Sequence, residues 1–289
     1  MERELWDLLY AIAERLDKQE GQWKFSDADI VTVYFWCVVH DRPMRWAVVK
    51  SNWPEDLQQM CLPSQATLSR RTRSDGCQQL MTQIETAWLA LATVQTSAVR
   101  MIDGKPLAVS GVSKDADAGY GRGAGGMQKG YKLFAVWSGG PLPTAWALAP
   151  MNKSEKTMAR QLIPDLPGEG YLLGDPEYDS NALFDLAHEA GYQLVTPKRQ
   201  KHRGIGHRRQ SPFRLRSIEL MTKPFGKTLY RYRRQIEREF GNLTNFGGGL
   251  TCLPPWVRRL PRVRNWLHAK LLINAARWFK NHPDTPALA

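Results

Sequence analysis

The sequence predicts an α/β domain with a mixed sheet flanked by helices, preceded by an all-helical N-terminal domain. Apolar residues recur at helical spacing through residues 1–98. After that point, short extended segments alternate with helical ones, the order typical of a layered α/β domain. We therefore expect a helical domain over 1–98, an α/β domain over 99–280 and a tail over 281–289, which is rich in proline and alanine.

The 289-residue chain is strongly basic, with a net charge of +12 at pH 7. Such a charge predicts a polyanionic partner. No apolar run approaches the roughly 20 residues needed to span a bilayer, and no apolar leader opens the sequence. Nucleic acid is therefore favoured over a membrane, and we expect a cytoplasmic protein. The four cysteines are scattered and form no Cys-x-x-Cys pair, which predicts buried, reduced thiols rather than a zinc site.

Two serines cap helices in the helical domain. Ser26 precedes the apolar run 30–39, and Ser64 precedes a short helix whose Leu68 points inward. The helix that follows Ser64 is left with a polar face. We interpret it as the recognition helix of a helix-turn-helix, which contacts bases and phosphates. A plain basic surface helix fits the same pattern. The residues of the polar face are Gln65, Ser69, Arg70 and Arg73.

In the α/β domain, two apolar strands each deliver an acid at their end. Residues 98–103 end in Asp103, with a turn expected at 104–106, and residues 170–175 end in Asp175. The glycine-rich stretch 119–126 lacks the residue order of a phosphate-binding loop, so we expect a flexible hairpin connection that approaches a DNA backbone. The remaining predicted strands are 107–109, 131–137, 143–148 and 192–197, and the predicted helices are 154–163, 181–190 and 263–280.

A basic run without acids spans residues 198–216. Its charges cannot neutralise one another, and glycines interrupt it, so we expect an arm that DNA orders; a solvated loop is the alternative. Three of its arginines are candidates for contacts to phosphate: Arg203, Arg208 and Arg209.

A single helix with two faces is predicted over residues 229–243. Tyr230, Arg233 and Glu237 stand three and four residues apart on one side. A second, apolar stripe would seat the helix on a core. That stripe consists of Leu229, Tyr232, Ile236, Phe240 and Leu243. Additional positive charge, which suits DNA lying across the helix, comes from Arg231, Arg234 and Arg238. A solvated helix held by Arg–Glu pairs is the alternative.

The acids Asp103, Asp175 and Glu237 form a candidate metal site. Two Mg²⁺ ions about 3.5 to 4 Å apart need hard oxygen ligands, with positions left open for water and phosphate. Each acid also has a simpler interpretation: a hairpin turn at 103–104, a turn at 175–176, and a surface ion pair between Glu237 and Arg233. In a strongly basic chain, the joint pattern favours the metal site.

Four blocks of the sequence resemble the successive motifs of bacterial insertion-sequence DDE transposases. The blocks are Met101-Ile102-Asp103-Gly104, Lys129-Gly130-Tyr131-Lys132-Leu133, the octapeptide 173–180, and Tyr230-x-x-Arg233-x-x-x-Glu237. The last block matches the Tyr-Arg-Glu part of that group's Tyr-Arg-Glu-Lys signature. Thr244 stands where the signature has lysine, which leaves Asn245 or Arg258 to contact the transposon end. The resemblance implies an RNase H-like catalytic core over about residues 99–280.

The resemblance also implies a role for each site residue. Asp103 would bridge two Mg²⁺ ions, for which Mn²⁺ can substitute, while Asp175 would hold one ion and Glu237 the other. Tyr230 and Arg233 would hold phosphate near the cleaved bond. Two nearby acids compete with Asp175 for its place: Glu177 and Asp179.

The activity implied is DNA transposition. Metal-activated water would cleave the phosphodiester at each element end, and the freed 3′-hydroxyl would then attack target DNA in line. The expected partners are double-stranded DNA and, on DNA, a second copy of the chain, in the bacterial nucleoid. Two alternatives stay open: an inactive or domesticated sequence-specific DNA-binding protein, and a metal nuclease without strand transfer.

Overall fold

The computed structural model describes residues 1–18, 23–92, 98–123, 125–200, 204–205, 209–246, 249–250 and 252–282. The chain divides into two compact units. The helical unit contains Met1–Val94 and Asn242–Ala289, and the sheet unit contains Gln95–Gly241.

The helices of the described residues are α1 (Glu2–Leu16), α2 (Asp27–Val39), α3 (Met44–Ala47), α4 (Gln65–Arg71), α5 (Asp75–Ala92), α6 (Glu155–Leu162), α7 (Asn181–Glu189), α8 (Pro212–Thr222), α9 (Pro224–Arg231), α10 (Arg234–Thr244) and α11 (Leu260–Asn281). The strands are β1 (Val99–Ala108), β2 (Gly119–Gly123), β3 (Gly126–Trp137), β4 (Ala145–Pro150), β5 (Gly170–Leu173) and β6 (Tyr192–Val195). None of the described helices is long and apolar enough to cross a membrane.

Helix α2 forms the centre of the helical unit. Ser26 and Asp29 close a capping box at its start, as each side chain accepts a hydrogen bond from the other's backbone N–H. Nearly every residue of α2 is buried, because α1, α5 and α11 pack around it. The predicted caps at Ser26 and Ser64 are both confirmed. The thiols differ from expectation in part, since Cys61 and Cys252 are exposed.

The C-terminal helix α11 packs in a different unit from the one that the sequence predicted. It packs against α1, α2 and α5 within the helical unit, whereas the sequence placed residues 99–280 in one domain. Its Lys270 is only 1% exposed and donates hydrogen bonds to the Val38 carbonyl at 2.8 Å and to the Asp41 carboxylate at 2.7 Å. Helical periodicity showed that α11 has a core face, but periodicity does not say which core that face joins.

The sheet unit is built on a mixed six-stranded sheet of order β2-β3-β1-β5-β6, with β4 also paired to β3. Strands β1 and β3 are antiparallel, while β1, β5 and β6 run parallel. The apolar faces of α6 and α7 cover one side of this sheet and form its core with Ile102, Phe134 and Leu172. The predicted mixed sheet flanked by helices is therefore confirmed, and it is consistent with an RNase H-like core.

Strand β1 is longer than predicted. The turn expected at 104–106 is wrong, because β1 continues through these residues and pairs with β3 from Met101 to Ala108. Asp103 therefore lies within a strand rather than at its end. The glycine-rich stretch is also more ordered than expected: β2 and the start of β3 pair across a tight turn, in which Gly126 adopts a φ of +99° that favours glycine.

Candidate active site

Two parallel strands bring Asp103 and Asp175 together. Strand register pairs Met101 with Leu173, and each acid follows its paired residue by two positions in the chain. The Asp103 Oδ1 atom accepts a hydrogen bond from the Gly104 N–H at 2.8 Å. The Asp175 carboxylate caps a 3₁₀ turn and accepts from the Glu177 N–H at 2.8 Å. The sheet places both acids where β5 ends, the position at which α/β sheets bind ligands.

The helix predicted over 229–243 is broken. Helix α9 ends at Arg231 and α10 begins at Arg234, and between them the backbone makes short i→i+3 hydrogen bonds through Tyr232 and Arg233. Tyr232 is 56% exposed and so does not belong to the apolar stripe, in which Ile236 and Phe240 are buried. Arg233 lies within this break.

Arg233 bridges two of the three predicted acids. Its Nη2 atom donates to Asp103 Oδ2 at 2.8 Å, and its Nη1 atom donates to Glu237 Oε1 at 3.2 Å. The Tyr230 hydroxyl donates to the Gly174 carbonyl at 3.1 Å, and burial raises the pKa of Tyr230 to about 12. Tyr230 therefore contacts the residue that precedes Asp175, Arg233 contacts Asp103, and Glu237 is connected to Asp103 through Arg233.

The Asp103 carboxylate has an unusual electrostatic environment. Burial raises the pKa of Asp103 to about 6, and the negative charges of Asp175 and Glu155 act in the same direction. The Arg233 guanidinium and the Gly104 N–H oppose this rise. A carboxyl group that titrates near neutrality, beside a second acid and an arginine, is typical of a functional site.

Glu237 occupies a different environment from the two strand acids. Its side chain is 63% exposed, and Arg233 connects it to Asp103. Within the described ranges, no three Asp, Glu, His or Cys side chains are arranged to hold a metal ion. The carboxylate oxygens of the three acids are the donors that Mg²⁺ prefers, but the Arg233 cation holds Asp103 and Glu237 in this arrangement.

Glu155 is a site residue that the sequence did not reveal. It lies in the first turn of α6, and its Oε1 atom pairs with Lys132 Nζ at 2.9 Å. Its Oε2 atom is buried and has no hydrogen-bond partner in the described part of the chain. Gly104 makes room for it, because a Cβ there would stand 3.2 Å from Oε2. From sequence alone, an acid after the cap Ser154 is explained by the helix dipole.

Two further buried polar atoms near these acids lack a partner among the described residues, the Tyr178 hydroxyl and Arg233 Nε. Burial raises the pKa of Tyr178, and Glu155, Asp103 and Asp175 add to the shift. An unsatisfied buried polar group costs roughly 1–3 kcal/mol. Three such atoms around one cluster of carboxylates fit a site built to receive a polar or ionic ligand.

The two acids that compete with Asp175 for its predicted place both pair with arginines. Asp179 forms a two-pronged pair with Arg214 at 2.6 and 2.8 Å, and Glu177 pairs with Arg199 at 3.2 Å. The basic run 198–216 was expected to be an arm of unpaired charges. Two of its arginines instead pair with acids that precede the run in the chain. Of its three candidate phosphate contacts, Arg209 is exposed, while Arg203 and Arg208 lie outside the described residues.

The other arginines predicted to contact DNA are on the surface. Arg234 and Arg238 are exposed on α10, and Arg70 and Arg73 are exposed on and just after α4. The candidates to replace the signature lysine differ: Asn245 is exposed, whereas Arg258 donates to the carbonyls of Pro254 and Val257.

A comparison with protein families identifies the region that begins with the sheet unit and extends into α11. The family model described as "Transposase DDE domain" matches residues 95–273. The chain belongs to the DDE transposase family. Comparisons with curated proteins and with solved structures give no match. The resemblance to insertion-sequence DDE transposases is thereby confirmed, and with it a transposase function that acts on DNA. Members of this family generally use a divalent metal ion, and the matched region contains Asp103, Asp175 and Glu237.

Proposed function

We propose that this transposase cuts DNA at the ends of an insertion sequence and joins the freed 3′-hydroxyl to target DNA. Asp103, Asp175 and Glu237 are the proposed catalytic acids. The observation that carries the proposal is the position of Asp103 and Asp175, each two residues beyond a registered pair of the parallel strands β1 and β5, with Arg233 linking Asp103 to Glu237. No side-chain nucleophile is required for such a reaction.

The three carboxylates would hold two Mg²⁺ ions, and Mn²⁺ would substitute for them. When bound, the ions supply an activated water nucleophile and neutralise charge on the reacting phosphate. Arg233 must then release Asp103 and bind another anion. Its planar guanidinium suits two oxygens of a phosphate. Tyr230, which is half-buried beside Gly174, fixes the start of this segment against the sheet. The role proposed for Tyr230 and Arg233 is therefore to position the phosphate.

DNA recognition is assigned to the helical unit, chiefly to the exposed side of α4. Ser64 caps this short helix, and Leu68 anchors it in the core, which leaves Arg70 and Arg73 exposed. We also propose that two copies of the chain act together on DNA, one for each element end, in the bacterial cytoplasm.

The test is cleavage of a duplex that carries the element end, with strand joining to a supercoiled plasmid as the second readout. We expect cleavage and joining in Mg²⁺, and neither reaction with Asp103→Asn, Asp175→Asn or Glu237→Gln. Asp165→Asn is the matched control, because Asp165 is exposed on the same unit.

DNA binding should persist in the three active-site variants, since they keep the arginines. Full cleavage by any one variant would remove that residue from the site. Specific DNA binding by the natural chain without cleavage in any divalent metal would favour the inactive, DNA-binding alternative.

A further inference from the structure

The helical unit contains a pocket of about 400 Å³. It lies between the recognition-helix candidate α4, the segment around α3, and the residues that lead into α11. Pockets that bind small organic groups typically have volumes of about 300–1,000 Å³. Asn265 of α11 donates a hydrogen bond to the Thr72 carbonyl at the end of α4, at 3.2 Å, so the two sides of the pocket are tied together.

The floor of the pocket is aromatic and its rim is basic. Tyr34 and Trp266 are buried beneath it, while Trp256 is 42% exposed at its side. Arg45 and Arg262, which both line the pocket, are exposed and have no ion pair or side-chain hydrogen bond with the described residues. Among the described residues, no carboxylate lines the pocket, so none of them neutralises the positive charge there.

Polar side chains that can form hydrogen bonds with a ligand complete the lining of the pocket. Gln65 and Ser69 of α4 face the same pocket as Asn265, and Arg73 joins the basic rim. A flat apolar surface beside amide and hydroxyl groups suits a nucleobase, which has an apolar face and a polar edge. Arginines at the rim suit the phosphates on either side of that base. The recess accommodates a base that has left the stack better than a base pair within a duplex.

We infer that this pocket binds a single unpaired nucleotide of DNA, with the base against Trp256 and the flanking phosphates on Arg45 and Arg262. This inference rests on the proposed DNA binding of the helical unit but not on the catalytic acids. It makes the C-terminal segment part of the DNA-binding surface, in addition to α4.

The experiment compares two labelled 24-base-pair duplexes of the same random sequence, one fully matched and one with a single extrahelical thymidine. Binding to the full chain is measured by fluorescence anisotropy in EDTA, so that cleavage plays no part. Because stacking of a base on an aromatic side chain is worth about 1–3 kcal/mol, the extrahelical base should tighten binding at least about five-fold.

Trp256→Ala should abolish this preference, so that the variant binds the two duplexes equally. The matched control is Trp23→Ala, since Trp23 is 64% exposed on the same unit and lies outside the pocket. Arg45→Ala and Arg262→Ala should each reduce the preference, whereas Arg42→Ala, an equal loss of charge outside the pocket, should not. With 5-iodouracil at the extrahelical position, photocrosslinking should map to Trp256.

Equal affinity of the natural chain for both duplexes would overturn the inference, as would a preference that survives Trp256→Ala. Binding that responds to the arginine variants alone would reduce the pocket to a contact with the DNA backbone and would also contradict it. Failure of the natural chain to bind any duplex would instead contradict the proposed DNA binding itself.

Discussion

At the scale of single residues, Arg233 determines the state of the active site. It is the cation paired with Asp103, and it also holds Glu237. A divalent ion bound by these acids must compete with a guanidinium that already makes hydrogen bonds to both. Arg233 therefore balances one of the negative charges of the site and occupies the Asp103 oxygen that a metal ion would need.

Replacing this arginine separates metal binding from catalysis. We expect Arg233→Gln to tighten Mn²⁺ binding to the DNA-free chain by about ten-fold, because a charged hydrogen bond worth roughly 1.5–3 kcal/mol no longer competes. Cleavage should fall, because the phosphate loses its partner. Calorimetric titration with Mn²⁺ measures the first effect, with the exposed Arg234→Gln as control. Unchanged Mn²⁺ affinity would show that Arg233 does not compete with metal.

The pKa of Asp103, about 6, gives metal binding a pH dependence. Asp103 must be ionised to hold a cation, so Mn²⁺ affinity should be full near pH 8 and fall as pH drops through 6, by about ten-fold per unit below it. Glu155→Gln removes a negative charge that raises the pKa of Asp103, so it should move the midpoint to lower pH. Titrations at several pH values provide the measurement. Asp165→Asn should leave the midpoint in place, and an unmoved midpoint in Glu155→Gln would exclude this coupling.

At the scale of elements, the basic run 198–216 has two different parts. Arg214, in the first turn of α8, pairs with Asp179, whose side chain is 5% exposed. Arg209, just before α8, is exposed. The first arginine therefore anchors the helix to the segment that follows β5, while the second remains available to DNA.

Substitutions should separate anchoring from DNA contact. Arg214→Ala should lower the free energy of unfolding by roughly 3 kcal/mol, because it leaves a buried carboxylate unpaired, and chemical denaturation measures that loss. Arg209→Ala should leave stability unchanged and flatten the slope of log affinity against log salt by about 0.9, since one phosphate contact is lost. A normal salt slope with Arg209→Ala would show that this residue does not lie on DNA.

Individual elements also differ in how well the sequence predicts them. The caps at Ser26 and Ser64 depend on neighbours in the chain, so local reasoning found them. The break between α9 and α10 was missed because the apolar spacing continues across it, and only tertiary packing turns Arg233 inward. The extension of β1 through Gly104 and Pro106 depends on pairing with β3, which lies some distance along the chain.

At the scale of the whole molecule, the acids Asp103 and Asp175 could be predicted because apolar strands delivered them. Glu155 could not, since the sheet unit brings α6 beside β1 through contacts that leave no periodic signal. The packing partners of α11 could not be predicted for a similar reason. Helix α11 has the apolar face expected of any packed helix, and its partners α1, α2 and α5 lie some 170 or more residues earlier in the chain.

The return of α11 to the helical unit affects how the protein is made. The sheet unit ends at Gly241, so all of it is synthesised before α11. The first 94 residues, although made first, lack the helix that packs against α1, α2 and α5 until residues 260–281 emerge. Domains generally fold as units during synthesis. A nascent chain therefore completes its sheet before its helical unit, and a product that stops near residue 241 keeps the three proposed catalytic acids while lacking a complete helical unit.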